Sequence, residues 1–411
     1  METTTGTKGG TVRSALVIGG GIAGPVAAMA LQRAGIEATI FEAYEGPAEA
    51  VGGGMGIAPN GLQAFDAIGT GEAIRAASTP MHAIVLQSWN GKRLAEFATL
   101  PGLPPQRFVL RAELFGALRR ATEERGLTTV YGKRLTGAAE GPDGVTAEFA
   151  DGTTATADVL IGADGIRSTV RRLIDPAAPE PRFAGTAGFG GLVGPTGLAP
   201  TEGVMHMAFG KRCFFGWQVF DDGTGVWFVN LPVPGPLPVA EQRAGGAEHW
   251  LARLREACAG DATPAEQMLA ATDPATLLFA GSTENMPCLD RWSRGRLVIT
   301  GDAAHAPSSS SGQGASLAAE SAVQLARCLR DLPLPQALAH YEALRRPRVE
   351  RIIKATARTN ARKAAGPVAR VLRDALLPPM FKLMKPEKSA WQYRYPIDFD
   401  APVTRDVSTA A

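Results

Sequence analysis

The sequence predicts an α/β protein in which a Rossmann-type dinucleotide-binding domain is interleaved with an antiparallel-sheet domain and closed by C-terminal helices. Three observations predict it. A short apolar strand over 15–18 runs into GGGIAG at 19–24, a helix over 22–34 and a second strand over 38–41, which together make a βαβ opening. Between about 182 and 231 the pattern changes to long strands rich in Phe, Trp, Val and Met, as in an antiparallel sheet. From within 312–316 to about 384 the chain reads as helix, with a proline break at 378–379.

The elements between these landmarks follow from local signals. Residues 1–12 are small and polar and read as a disordered leader. Gly35 closes the first helix. VGGGMG at 51–56 reads as loop, followed by a helix that Asn60 caps. Strands over 82–89 and 92–97 meet at Asn90-Gly91, a two-residue hairpin signal. Over 111–125 the apolar positions Leu114, Ala117 and Leu118 share one helical face and Gly126 stops the helix. Strands over 128–131, 134–140, 145–150, 153–157 and 158–161 follow, then helices over 247–258 and 263–271 and a final strand over 297–300. The implied division is dinucleotide-binding over 13–75, 106–180 and 286–330, substrate-binding over 76–105 and 181–285, and C-terminal helices over 331–400.

Composition narrows the function classes. At 411 residues two packed lobes are expected, and a formal charge of +2 points to neither nucleic acid nor an acidic partner. Cys213, Cys258, Cys288 and Cys328 are too widely spaced for a metal clamp and read as reduced thiols of a cytoplasmic protein; no metal site is expected. Glycines and Pro25 interrupt the apolar run over 15–31, so no stable membrane insertion is expected. The basic residues Arg351, Lys354, Arg358 and Arg362 repeat at helical spacing as a solvated face, and apolar residues over 371–384 read as a domain cover.

GGGIAG satisfies GxGxxG in the setting that matters. Gly19 allows the tight turn, Gly21 lets the backbone approach a pyrophosphate on the helix N-terminus, and Gly24 lets helix and strand pack closely. Glu42, at the end of the second strand, is placed to bind two ribose hydroxyls and would repel a 2′-phosphate, so the nucleotide is FAD or NAD rather than NADP. Asp302 follows a buried strand, where its carboxylate can accept a ribityl hydroxyl, and Pro307 turns the backbone. Gly312 and Gly314 open the approach to a helix N-terminus suited to negative charge.

GADGIRSTVRR at 162–172, LVITGDAAHAPSSSSGQGASLAAESA at 297–322 and YEALRRPRVERI at 341–352 resemble the FAD-dependent aromatic hydroxylases, the group A flavoprotein monooxygenases with the p-hydroxybenzoate hydroxylase fold. The resemblance covers most of 13–358 and thins out over 182–240. It implies an FAD monooxygenase in which NADPH or NADH reduces the flavin, O2 adds to C(4a), and the resulting hydroperoxide gives an oxygen to an aromatic or polycyclic small molecule. It also implies cofactor contacts at Ile22, Ala23, Ala43, Gly54, Ala315 and Ser316, an FAD contact from Arg111, backbone hydrogen bonds from Leu135 to the adenine, and Asp164 and Arg167 near the pyrophosphate. For Asp164 a helix cap is the alternative, and for Arg111 a surface position.

The chain departs from that pattern in three places. From Ala34 to Ile74 it has no Lys or Arg, which leaves NADH and NADPH both open. Glu320-Ser321-Ala322 stands where relatives read Glu-Asp-Ala, and GFGGLVGP at 188–195 leaves room over the flavin. Met205, Met207 and Phe209 alternate, as do Phe215, Trp217 and Val219; each set is either an apolar substrate wall or ordinary core. His305 reads as structural, and no protein residue stands out as a catalytic acid or base. The competing readings are a flavin-dependent reductase, a halogenase, disfavoured because VWFVNLP at 226–232 lacks WxWxIP, and a noncatalytic relict. A monomer or homodimer is expected.

Overall fold

In the computed structural model, which describes residues 12–47, 53–308, 312–360, 367–383 and 390–403, two large sheets carry the architecture. The first has six strands in the spatial order Ser293–Arg294, Leu297–Ile299, Val159–Gly162, Ser14–Ile18, Glu37–Phe41, Thr128–Val130. All its pairings are parallel except the one at the Ser293–Arg294 edge. Its near-continuous apolar strands are buried on both sides, as a parallel sheet flanked by helices requires. The helix Ala23–Arg33 on one side packs against the long helix Gly314–Asp331, so the first and last glycine-rich segments meet although almost three hundred residues separate them in sequence.

The second sheet has seven strands in the order Leu278–Asn285, Arg182–Val193, Gly225–Pro232, Phe214–Val219, Val204–Phe209, Ala83–Ser88, Arg93–Ala98. It is antiparallel apart from one junction, where Val204–Phe209 runs parallel to Ala83–Ser88 and joins the hairpin to the rest. One face packs on the helices Ala247–Cys258 and Ala265–Ala270 through Phe189, Phe215, Trp227, Trp250 and Leu254. The other packs through Met205 and Val226 against Met81 and Phe108, and its outer end is covered by Leu377 and Phe381 of the helix Pro367–Leu383.

Several local expectations need correction. Gly54–Ile57 is a strand rather than loop, paired with Gln106–Leu110. Asn60 does not cap its helix: the helix Pro59–Ala67 begins one residue earlier, and Asn60 is buried inside it, donating to Gln313 and Glu320. The helix Pro367–Leu383 runs through Pro378 and Pro379 without a break. Pro378 withdraws the amide that would bond the Asp374 carbonyl, and Lys92 Nζ donates to that carbonyl instead at 2.8 Å. The strand Leu278–Asn285 carries no turn signal and is an addition. Val12 is buried, while residues 1–11 of the expected leader lie outside the described residues, as does the Arg362 end of the basic stripe. Cys213, Cys258 and Cys328 are buried free thiols and Cys288 is exposed.

Candidate active site

The three glycine-rich segments converge at the carboxyl end of the parallel sheet, where open α/β sheets bind ligands. Gly19 has φ +107°, and a Cβ there would lie 2.4 Å from the Ala163 carbonyl oxygen, so the first turn is pressed onto the ADG segment. At Gly24 a Cβ would lie 1.8 Å from the Gly19 oxygen, which fixes the close approach of helix to turn. Gly21 has nothing within 4 Å of its absent Cβ. The turn is therefore sealed against protein on one side and open on the other, a cradle that a side chain would fill. The first turn of Ala23–Arg33 points its free amides into that opening.

Glu42 stands beside it, with Oε2 accepting from Gly20 N at 2.6 Å and Oε1 from Tyr44 N at 3.0 Å. A carboxylate has about four acceptor sites, so two remain for ribose hydroxyls. Gly301 packs against Ala23, a Cβ there lying 2.7 Å from the Ala23 Cβ, and carries Asp302 into the same cleft. The Asp302 side chain is open to solvent yet deep among protein atoms, as on the floor of a cleft. Burial pushes its carboxyl above the usual range, and the Arg111 guanidinium pulls the other way. Arg111 opens the helix Arg111–Glu124, is itself exposed, and donates its backbone N–H to the Gly53 carbonyl.

Beyond Pro307, Gly312 adopts φ +60° and leads into the helix Gly314–Asp331, whose first turn leaves the amides of Gly314, Ala315 and Ser316 without helical acceptors. Ser316 is wholly buried and its Oγ accepts from Ala58 N at 3.0 Å, whereas Gly314 and Ala315 are partly exposed. Asp164 behaves as the cap: it accepts from Thr169 N at 2.7 Å, Val170 N at 3.1 Å and the Ser168 hydroxyl at 2.5 Å. Arg167 points outward and pairs with Glu284 at 2.8 Å. Leu135 is buried at the start of its strand, and Ala43 follows Glu42 half-buried.

The helix behind this cleft is held by a buried ionic network. The Glu320 carboxylate accepts from Arg345 at 2.6 Å, from Arg348 at 2.8 and 2.9 Å, and from Asn60 at 2.6 Å. Burial opposes the charge on Glu320, but Arg345 and Arg348 outweigh it and hold the carboxyl below its ordinary value. Ser321 Oγ accepts from Arg345 Nε and hydrogen-bonds with His305 Nε2 at 2.8 Å, which gives the Glu-Ser-Ala departure a structural role. Burial, with Arg345 nearby, pushes His305 down to about 3.

The facing wall comes from the second sheet, and its register separates residues that alternation alone does not. His206 pairs with Trp217 and Ala208 with Phe215, whereas Met207 pairs with Gly216 and Phe209 with Phe214. Directly paired residues share a face, so Phe215 and Trp217 belong to the helix-covered core and not to the cleft. Phe209 faces the cleft side but lies under Leu377, with the Arg373 guanidinium 4.4 Å above its ring. Met205 and Met207 remain, packed with Phe108 and Phe228. The glycines at 188–191 also divide. The Trp227 indole fills the space at Gly191 on the helix side, a Cβ there lying 2.7 Å from the ring, whereas Gly190 has no side chain closer than 4.0 Å. Phe108 and Phe228 were not singled out by the sequence reading. The signal available for the first was the period-two repeat of Gln106, Phe108 and Leu110.

Comparison with known proteins identifies the family. The family model for an FAD binding domain matches residues 13–207 and 258–356. The chain belongs to the FAD-dependent aromatic hydroxylase family. It is 32% identical over 342 residues to an aurachin C monooxygenase/isomerase of Stigmatella aurantiaca, covering 80% of this chain and 84% of that one. It is 31% identical over 351 residues to an FAD-dependent urate hydroxylase of Klebsiella pneumoniae, covering 82% and 87%. The crystal structure of Klebsiella pneumoniae HpxO complexed with FAD and uric acid superposes with a TM-score of 0.80 at 27% identity, over 92% of this chain and 95% of that one. The protein is an FAD-dependent monooxygenase. Among the described residues no helix is long and apolar enough to cross a membrane, and no group of His, Cys, Asp and Glu is arranged to hold a metal.

Proposed function

We propose that this monooxygenase uses NADPH or NADH with O2 to hydroxylate or epoxidise an electron-rich aromatic or polyketide-like small molecule, as a tailoring step in secondary metabolism. The observation that carries the reading is the meeting, in one cleft, of the open turn at Gly21, the Asp302 carboxylate and the free amides at Gly314, opposite an apolar wall. FAD, when bound, supplies the electron transfer from nicotinamide to oxygen and delivers the oxygen atom. The protein's share is binding, orientation and exclusion of water.

In this reading Gly19, Gly21, Ile22, Ala23 and Gly24 seat the pyrophosphate, Glu42 and Ala43 the adenosine ribose, and Leu135 the adenine. Arg111 and Asp302 hold the ribityl chain, and Gly54, Pro307, Gly312, Gly314, Ala315 and the Ser316 amide surround the ring, where amide dipoles favour a reduced, negatively charged flavin. Asp164 acts as a cap that steadies the ADG segment. Met205 and Met207, with Phe108 and Phe228, form the apolar wall for a flat substrate. The enzyme works in the cytoplasm as a monomer or homodimer.

The test is a screen of phenols and of anthracycline-like and tetracycline-like compounds with the purified yellow protein. Substrate-stimulated oxidation of NADH or NADPH with matching oxygen uptake and an oxygenated product is the expected result. Oxidation without oxygen incorporation would move the enzyme to the reductases.

A further inference from the structure

We propose that the helix Pro367–Leu383 docks the protein reversibly on an anionic lipid surface, with Val371, Leu372, Leu376 and Met380 entering the acyl chains and neighbouring lysines and arginines meeting the headgroups.

The helix is amphipathic with its apolar side outward. Its charged side chains turn to protein: the Arg373 guanidinium lies 4.4 Å above the Phe209 ring, and its Nε donates to Asp374 at 2.9 Å. Asp374 accepts from the Ser88 hydroxyl, and Arg370 donates to the Lys211 carbonyl at 2.9 Å. The domain cover read from the sequence describes only the side that carries Leu377 and Phe381. Facing solvent are the pairs at 371–372, 375–376 and 379–380, all apolar and repeating at the helical period. Val371, Leu372, Leu376 and Met380 are 70, 55, 63 and 39% exposed. Among the described residues the other large hydrophobic side chains so exposed are Tyr44, Leu192 and Phe97. Phe97 meets Phe381 edge-on at 5.2 Å, so the exposed apolar residues here form one stripe rather than scattered points.

The surroundings indicate what covers the stripe. Lys92, Arg93, Lys211 and Arg212 are exposed on turns that reach the helix, where Lys92 Nζ donates to the Asp374 carbonyl at 2.8 Å and Arg370 binds Lys211. Lys92, Lys211 and Arg212 bond through their side chains to carbonyl oxygens, which leaves their charges uncancelled, whereas Arg93 pairs with Glu96. Against these cations, with Arg370 and Arg373, stand the carboxylates of Glu96, Asp261 and Asp374, so positive charge is in excess. Basic residues also mark both ends of the helix in sequence, Arg362 and Lys363 before it and Lys382, Lys385 and Lys388 at its end, with Glu387 the lone acid among them.

An apolar helical stripe with cations at its margins fits the boundary between anionic headgroups and acyl chains. A second copy fits less well, because a stable interface takes about 20–30 residues a side and the stripe is three pairs of residues with Phe97 beside them. The remainder of this sequence supplies no cover either. Its segments outside the described residues contain Met1, Val51, Met384 and Val407 as their large apolar residues, no two in one segment. The contact is peripheral, since the helix is not long and apolar enough to cross a bilayer.

The experiment is flotation of the FAD-loaded enzyme with vesicles of phosphatidylcholine containing about one third phosphatidylglycerol, beside pure phosphatidylcholine, at low and high salt. The wild type is expected to float with the anionic vesicles, less with the neutral ones, and less again as salt rises. Leu372→Gln combined with Leu376→Gln lowers the partition at least about ten-fold, the contribution of burying a single leucine. FAD content and melting temperature stay unchanged, because both side chains are mostly in solvent. Leu376→Trp adds a fluorophore that brominated acyl chains in the anionic vesicles quench beyond the wild-type background. The proposal is overturned if the wild type stays out of the floating fraction, if the double variant floats as the wild type does, or if the added indole is not quenched. It is overturned too if sedimentation shows a dimer that the double variant splits, which makes the stripe an interface between copies.

Discussion

Glu320→Ala is the sharpest probe of what holds the cleft together. The carboxylate is fully buried and receives both Arg345 and Arg348, whose side chains are 0% and 10% exposed. Removing it strands at least one guanidinium with no counter-charge in a dry interior, which costs about 3–5 kcal/mol for a buried pair broken from one side. For 411 residues at about 2.1 cal/mol/K of unfolding entropy each, that corresponds to a fall of about 3–6 °C in the melting midpoint of the apoprotein. The arginines hold the Glu320 carboxyl below its ordinary value of 4.5, so the stabilisation is complete above that pH and disappears only in stronger acid.

The assay is thermal unfolding followed by near-ultraviolet circular dichroism at pH 7, with Arg345→Met and the double variant alongside. Because the two groups share one network, the double variant is expected to lose about 1–3 kcal/mol less than the sum of the singles. FAD affinity should fall too, since Asn60 bridges Glu320 and Gln313 at the helix entrance. If Glu320→Ala melts within about 1 °C of the wild type, or the two losses simply add, the network is not what fixes the helix and the reasoning fails.

Gly24→Ala places a methyl 1.8 Å from the Gly19 oxygen, so the turn must open, and FAD released on dialysis, read by its fluorescence, should rise sharply. Phe215→Ala and Met207→Ala should separate the two faces of the sheet. The first costs about 3–5 kcal/mol of stability in urea unfolding with substrate affinity kept, whereas the second chiefly changes KM. His305 is held neutral by burial, with its pKa down at about 3, while in the unfolded chain it protonates near 6.5. Its share of the stability is therefore present above pH 6.5 and lost as pH falls toward 3, by about 1.4 kcal/mol per pH unit. His305→Gln should flatten that slope in unfolding curves between pH 4 and 6.5, and an unchanged slope would assign the dependence to other groups.

The parts of the fold that were legible in the sequence are those set by local chemistry. The first βαβ unit follows from an apolar strand, a turn that only glycine tolerates at Gly19 and a helix stopped at Gly35, and each of these acts within a few residues. The Asn90-Gly91 hairpin is local in the same sense, with Gly91 at φ +80°. Asn60 misled for the converse reason: a cap residue is recognised by its position in sequence and accepts through its side-chain oxygen, but here the buried side chain donates its amide N–H groups to Gln313 and to Glu320 of a distant helix. The prolines at 378–379 misled similarly, because the carbonyl freed by Pro378 is bonded by Lys92 from the hairpin.

The candidate site was legible on its cofactor side and not on its substrate side, and the reason lies in what each side reads. A dinucleotide is gripped mainly by backbone, so the glycines that permit close approach are visible as letters in the chain. In the proposed reading the substrate is gripped by side chains from a sheet whose two faces are both apolar, and alternation fixes only that neighbours on a strand point oppositely. Whether Met207 or Trp217 meets the substrate depends on the pairing of His206 with Trp217, a register that joins two strands through a turn and shifts by one residue if that turn does. The turn Ala390–Gln392 lies further still from any local rule. Its place is set by carbonyls at 391 and 392 binding an arginine, which in turn binds a glutamate in another helix. Each link is a tertiary contact that no local pattern in the sequence announces.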